Sequence, residues 1–323
     1  MSTVKIIKLL AVITLTLSAH INAFAQSYPE KPIKIIMPWA DGFPANSARL
    51  YAKELNNKFK YITVLETKAG AGGELAARQV VNAANDGYTL LVTGSSITIR
   101  SVIDQKNIDP EKELQPIAQI TTTPYVIVAK AGQFGNFKNF LASAQNNPGK
   151  INFASAGIGT GMHFLGELLN TNANINIVHI PYQTGSRQLQ AVLAGDVDIA
   201  IISVVTALPQ IKSGALEALA VSTTKRSKVL PNTPTLAELG IKNIPSIGAW
   251  IAVFGPKNMD PNAVKILSEK IAAIAIDPSV IELVNSWGAD LPDTKISSLE
   301  EVMKSEKKSW EQIAKEKNLK TNN

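Results

Sequence analysis

The chain contains no cysteine in 323 residues. No disulfide can staple it, no thiolate can hold a metal, and no lipid anchor can attach to a cysteine behind its first apolar run. Histidine is nearly missing as well: beyond residue 25 there are only His163 and His179. They form no H-E-x-x-H or other paired-ligand pattern, so no metal and no cofactor is expected. No apolar run reaches the roughly 20 residues needed to cross a bilayer. Positive charge is mild and scattered, at a net +6, with no basic stripe interleaved with aromatics, which argues against a nucleic-acid partner. What remains is an ordinary globular composition, 45% hydrophobic and 18% charged, that a packed core alone must hold together.

The start of the chain carries an export signal. Lys5 and Lys8 precede an apolar run over 9–17, and Ala23-Phe24-Ala25 places small residues where a signal peptidase reads. This pattern predicts a signal peptide over residues 1–25, cleaved after Ala25, and export of the mature chain. Loss of the two lysines lowers the net charge to +4. The remaining 298 residues suit one large or two ordinary domains, at about 150 residues each.

The stretch 152–163, NFASAGIGTGMH, organises the rest. An apolar strand over 150–154 leads into a loop of small residues, and a helix with Met162, Leu165, Leu168 and Leu169 follows. Such a loop lets a ligand approach the backbone and aims unpaired N–H groups at it, which favours anions, carboxylates included. Thr160 is the expected N-cap. Taken alone, the loop also fits an ordinary tight strand-to-helix connection.

The same alternation recurs along the chain. Strand Ile33–Met37 is followed by a turn over 39–46 and a helix over 47–58 capped by Asn46. A strand at 61–66 and a helix opened by Lys68-Ala69-Gly70-Ala71-Gly72-Gly73 and reaching 84 come next. A strand over 88–93 ends at Gly94-Ser95-Ser96. The strand at 121–129 contains Pro124, which marks where the chain leaves one sheet for another. A helix over 137–145 precedes the central stretch. Beyond it the pattern predicts strands at 175–179, 197–202, 216–221 and 249–254. Helices are expected at 187–194, 208–212, 231–240, 279–286 and 298–319, with a disordered tail after them. The nearly all-apolar 197–202, VDIAII, fits a strand buried on both faces.

This order implies an α/β fold of parallel sheets covered by helices. Two crossings, at Pro124 and Ile247, divide it into two lobes around a cleft: 26–123 with 248–323, and 124–247. Ligands of such sheets bind beyond the carboxyl ends of the strands. That rule nominates Trp39, Asp41, Gly42, Phe43 and Asn46 after the first strand, and Ser95 and Ser96 after the third. It also nominates Ser155, Gly157, Gly159 and Thr160 with His163 behind them, then Thr184 and Ser203. For Trp39 and Trp250 a core position is the alternative, and for Asp41 a solvated turn.

Catalysis finds little support. Ser155 lies in S-x-G, but a nucleophile elbow needs glycine where Phe153 stands. His163 and His179 fit structural histidines. Asp196 and Asp198, in GDVD, fit a turn and a strand edge. No enzyme is expected.

Several stretches together resemble the periplasmic solute receptors called Bug proteins. They are YPEKPIKIIMPWADG at 28–42, AGAGG at 69–73, DGYTLLVTG at 86–94 and PGKINFASAGIGTGMHFLGELL at 148–169. HIPYQTG at 179–185, ALPQIKSGALEALAVSTTKRS at 207–227, LPNTPTLAELG at 230–240 and the Trp250 strand complete the set. The resemblance implies the two-lobed type II periplasmic binding protein fold. It also implies a monomeric receptor that delivers a small carboxylated solute to the separate membrane subunits of a tripartite tricarboxylate transporter. A ligand-presenting sensor component is the second reading, since both use the same hinge and cleft. In the family, backbone amides of one loop from each lobe hold the carboxylate. This chain departs where the pocket should be: Phe43 replaces a glycine, Asn46 stands for an acid in the first loop, and Ser203 stands for an acid at a strand end. Those changes remove partners for an ammonium group and leave Trp39 and Phe43 to line an apolar or aromatic pocket.

Overall fold

The computed structural model describes residues 28–317 apart from 105, 183, 243, 245 and 246. The signal peptide and the C-terminal tail expected from the sequence lie outside these residues. The described chain opens with β1 (Ile33–Met37), α1 (Gly42–Phe59), β2 (Thr63–Thr67), α2 (Glu74–Val81), β3 (Thr89–Gly94), α3 (Ser96–Ile103) and a single turn, α4 (Pro110–Glu113). The long β4 (Leu114–Lys130) follows, then α5 (Phe137–Asn146), β5 (Asn152–Ser155), α6 (Gly161–Asn172), β6 (Val178–Pro181) and α7 (Gly185–Ala194). The chain continues through β7 (Ile199–Ser203), α8 (Val204–Lys212), β8 (Leu216–Val221) and β9 (Gly248–Pro256). It ends with α9 (Pro261–Ala275), α10 (Pro278–Ser286) and α11 (Ile296–Lys317).

β4 joins the two halves. Its first part, Leu114 to Pro124, runs antiparallel to β9, which continues the sheet β2-β1-β3-β9. From Tyr125 its partners become β7 on one side and β8 on the other, and β7 leads on to β5 and β6. Proline has no N–H for a ladder, and Pro124 sits where the partners change, paired with Gly248. The sequence pattern showed only 121–129 of this element, because its first half carries Gln115, Pro116 and Gln119 among apolar residues.

Period-two alternation puts each strand's side chains on opposite faces, and both faces are buried. Ile199 and Ile201 join one apolar cluster with Phe153 and Phe164, while Ala200 and Ile202 join another with Val126 and Val128. In the first lobe Ile33, Ile35 and Met37 pack with α1 and α9, whereas Ile36 and Leu91 pack with α2. Sheets covered on both sides explain why these strands read as continuous apolar runs. α11 straps the two lobes. Its Leu299 and Met303 pack with Trp250 and Phe254 of the first lobe, and its Trp310 lies against Phe164 of the second, ring centroids 4.7 Å apart.

Three local expectations change. α1 starts at Gly42, not at 47, so Asn46 is an exposed residue within the helix and Asp41 holds the N-cap position. Gly42 takes φ +79°, a left-handed value that suits glycine and lets the turn tighten early. Ser95-Ser96 is not a loop, since α3 begins directly at Ser96. Residues 231–240 form turns rather than a helix. Thr235 and Glu238 exchange the reciprocal bonds of a capping box (2.8 and 3.1 Å), but Val221 donates to Pro234 and accepts from Leu236. The edge of β8 thereby takes the backbone groups that a helix would use.

Candidate functional site

One cavity of about 210 Å³ opens where the two sheets meet. Both crossing strands contribute to it, with Tyr125 from β4 and Ala249, Trp250 and Ile251 from β9. The other walls are the segments that follow β1, β3, β5, β6 and β7.

Of the nominated residues, Trp39, Asp41, Gly42, Phe43, Ser95, Ser96, Thr160, Thr184 and Ser203 line this one space. Asn46, Ser155, Gly157, Gly159 and His163 do not. Asn46 points to Arg49, whose guanidinium contacts its side chain at 3.3 Å and also donates to the Ala40 carbonyl. Ser155, Gly157, Gly159 and His163 form the frame behind the wall. Tyr125, Met162, Gly161, Ser186 and Thr206 line the cavity without having been nominated. Gly161, Met162 and Ser186 lie one or two residues beyond Thr160 and Thr184, so following each helix two residues further would have found them. Tyr125 sits inside an apolar strand beside Pro124, with no local sign that its ring faces a cleft.

The lining segments share one feature. The N-termini of α1, α3, α6, α7 and α8 all open on the cavity, through Gly42–Phe43, Ser96, Gly161–Met162, Gly185–Ser186 and Ser203. The first-turn N–H groups of a helix have no intrahelical acceptor, and the helix dipole adds partial positive charge there. The three helices of the second lobe, α6, α7 and α8, are capped by side chains, whereas Asp41 of α1 and Ser95 of α3 make no such bond. Thr160 accepts from the His163 N–H (3.3 Å), Thr184 from the Arg187 N–H (3.2 Å) and Ser203 from the Thr206 N–H (3.4 Å). Gln188 locks α7 in place: it is fully buried and donates to the Ala154 carbonyl (2.8 Å) and to that of Ile201. Among the described residues no lysine, arginine or histidine lines the cavity, and the one acidic lining residue is Asp41, which is exposed. The Tyr125 phenol is held far above its usual pKa by burial, so it stays neutral and bonds Ser95.

The frame behind the α6 loop is a stack of imidazoles. His163 and His179 lie face to face at 4.1 Å, and His179 Nε2 is 2.6 Å from Ser155 Oγ. Ser155 Oγ also accepts from the Gly157 N–H (3.1 Å), and Thr160 donates to the Gly157 carbonyl (2.8 Å). Gly157 adopts φ +116°, which closes this small ring of bonds. Burial lowers His163 to about 4, and burial with the neighbouring His163 lowers His179 to about 3. Both are neutral at pH 7. A serine beside a histidine has the spacing of a nucleophile and base, but Ser155 is fully buried and so weak a base takes a proton poorly. The pair braces the loop. Asp198 and Asn152 each donate the backbone N–H to the other's side-chain oxygen (both 2.9 Å), which ties the start of β7 to β5.

Residues 47–319 match the model of the tripartite tricarboxylate transporter family receptor. The chain belongs to that receptor family. Among curated relatives, protein BugT of Bordetella pertussis is 32% identical over 82% of each chain. A protein from a tcbD-tcbE intergenic region of Pseudomonas sp. is 29% identical over 92% of this chain and 89% of its own. Among solved structures, the periplasmic binding protein BugD is 29% identical with a TM-score of 0.80, covering 91% of this chain and 99% of BugD. MatC from Rhodopseudomonas palustris, solved with bound malate, is 26% identical with a TM-score of 0.79, covering 88% and 99%. An R. palustris protein solved with adipate shares the fold at a TM-score of 0.83 and 24% identity. The family and these neighbours are binding receptors, and the two-lobed α/β fold is theirs.

Proposed function

We propose that this chain captures a small carboxylated solute in the cavity between its lobes and delivers it to the membrane subunits of a tripartite tricarboxylate transporter. One observation supports this most: five helix N-termini converge on a single cavity that no basic side chain lines among the described residues. Such a site attracts an anion through fixed main-chain donors rather than through a counter-charge. The ligands of MatC and of the adipate-bound neighbour, malate and adipate, are carboxylates. We place the lobes at 26–123 with 248–323 and at 124–247, with the hinge at Pro124 and Gly248. The carboxylate docks on the helix starts of one lobe, and closure brings the other onto it, a recurrent transition in two-lobed receptors. The protein then works as an exported periplasmic monomer with no catalytic step. Isothermal titration with organic acids and their methyl esters tests the reading. Acids should bind and the esters should not, and equal binding of an ester would overturn it.

A further inference from the structure

The cavity wall is not uniform, and its asymmetry bears on what the solute looks like. This inference rests on the receptor reading above. We infer that the ligand carries one carboxylate on an uncharged, aromatic-sized body, and that it is neither an amino acid nor a polycarboxylate.

The donors gather on the second lobe. There the starts of α6, α7 and α8 offer free first-turn N–H groups, and the hydroxyls of Ser203 and Thr206 stand 2.8 Å apart. Two hydroxyls carry two protons, and the bond between them uses one, so the other is left to donate to a ligand. On the first lobe the donors are fewer. Pro44, in the first turn of α1, has no N–H. The Ser95 N–H is already bonded to the Trp250 carbonyl (3.2 Å). What the first lobe presents is chiefly apolar surface around the half-buried Trp39, with Ile251 and the buried Phe43 beside it. Phe43 is 4% exposed, and the Trp250 indole is turned into the core, where it donates to Glu306, so this wall is held from behind. One end of the space suits an anion and the other suits an apolar body.

Charge excludes the alternatives. A second carboxylate would meet only the starts of α1 and α3, with no basic side chain among the described lining residues to offset its desolvation, and Asp41 would repel it. An α-ammonium sits next to its carboxylate, so it would lie among the hydroxyls near Ser203, where no acid is present. The volume of about 210 Å³ lies below the roughly 300–1,000 Å³ usual for drug-sized ligands, which limits the body to about one ring.

The test is titration calorimetry of the full mature chain with benzoate and phenylacetate, against adipate, malate and citrate, and against glutamate and phenylalanine. The half-buried Trp39 is then changed by Trp39→Ala, with thermal melting as a control on folding. The expected result is at least tenfold tighter binding of an aromatic monocarboxylate than of any other probe. Trp39→Ala should weaken that binding at least tenfold with little change in melting. Tighter binding of adipate, malate, citrate or an amino acid overturns the inference and leaves the receptor reading standing. So does an aromatic acid whose affinity is unchanged by Trp39→Ala. If no acid of any class binds, both readings fall.

Discussion

Lowering the pH from 8 to 5 should destabilise this protein through His163, and the size of the effect follows from where that ring sits. It is 5% exposed, stacked on His179 and packed against Phe164, so its charged form is poorly solvated. Burial moves its pKa from 6.5 in the unfolded chain to about 4 in the fold. Below pH 6.5 the unfolded chain therefore binds more protons than the native one, and stability falls as pH drops. The contribution is complete above pH 6.5 and lost progressively toward pH 4. At pH 5 the loss from this one ring is about 2 kcal/mol, with a ceiling of ~3 kcal/mol at lower pH. His179 adds a loss of the same sign, reduced by its greater exposure. Glu306 opposes them over part of the range. Burial raises it from 4.5 to about 7, partly offset by the bond from Trp250, so it costs stability as pH rises between those values. Urea melts of the wild type and of His163→Leu at pH 8 and pH 5 isolate the first ring, because both chains keep His179 and Glu306. The wild type should lose about 2 kcal/mol more than the variant between the two pH values. An equal loss in both would show that His163 is not held neutral by burial.

Four further outcomes follow from named contacts. Thr160→Ala removes the cap that accepts from the His163 N–H and should cost about 1 kcal/mol in a urea melt; no change would mean that the cap contributes nothing. Gly166→Ala would set a Cβ 2.2 Å from the Phe153 ring, an overpacking that should cost about 1–3 kcal/mol by thermal or urea melting. Gly161→Ala would put a methyl 2.8 Å from the Tyr125 hydroxyl, within the cavity wall, and should weaken carboxylate binding in calorimetry at least tenfold. Glu306→Gln keeps an acceptor for the Trp250 N–H without the charge. It should stabilise the fold at pH 8 by on the order of 2 kcal/mol and leave it unchanged near pH 4, read from the same melts.

Much of the fold was legible because both sheets are covered on both faces. That requirement writes apolar runs such as IKIIM in β1 and IAIIS in β7, and helices with clear apolar stripes between them. The N-cap Thr160 was legible as a small polar residue between a strand and a helix, while Thr184 and Ser203 were marked only as residues beyond strand ends and prove to be caps as well. The misses fell where tertiary contacts outweighed local pattern. The start of α1 moved to Gly42 because Ser47 is drawn inward, bonding the Phe43 carbonyl (3.0 Å) and Thr121 (2.7 Å). Residues 231–240 gave up a helix to the edge of β8. α3 escaped notice because SITIRSVI mixes β-branched residues that weaken the helical signature.

The sequence by itself determined which residues stand at the carboxyl ends of the strands, since strand and helix periods are local properties of the chain. It also determined that no thiol lies anywhere in the protein, and that a lysine-led apolar run opens it. Only the tertiary structure decided which of those residues meet. Five helix starts from two lobes share a wall because β4 runs unbroken through the junction and fixes one sheet against the other. The same packing turned Ser155, Gly157, Gly159 and His163 away from the cavity into the brace behind it, and brought in Tyr125 and Trp250. A side chain's direction into a cleft depends on what packs behind it, and that is set by residues a hundred or more positions away.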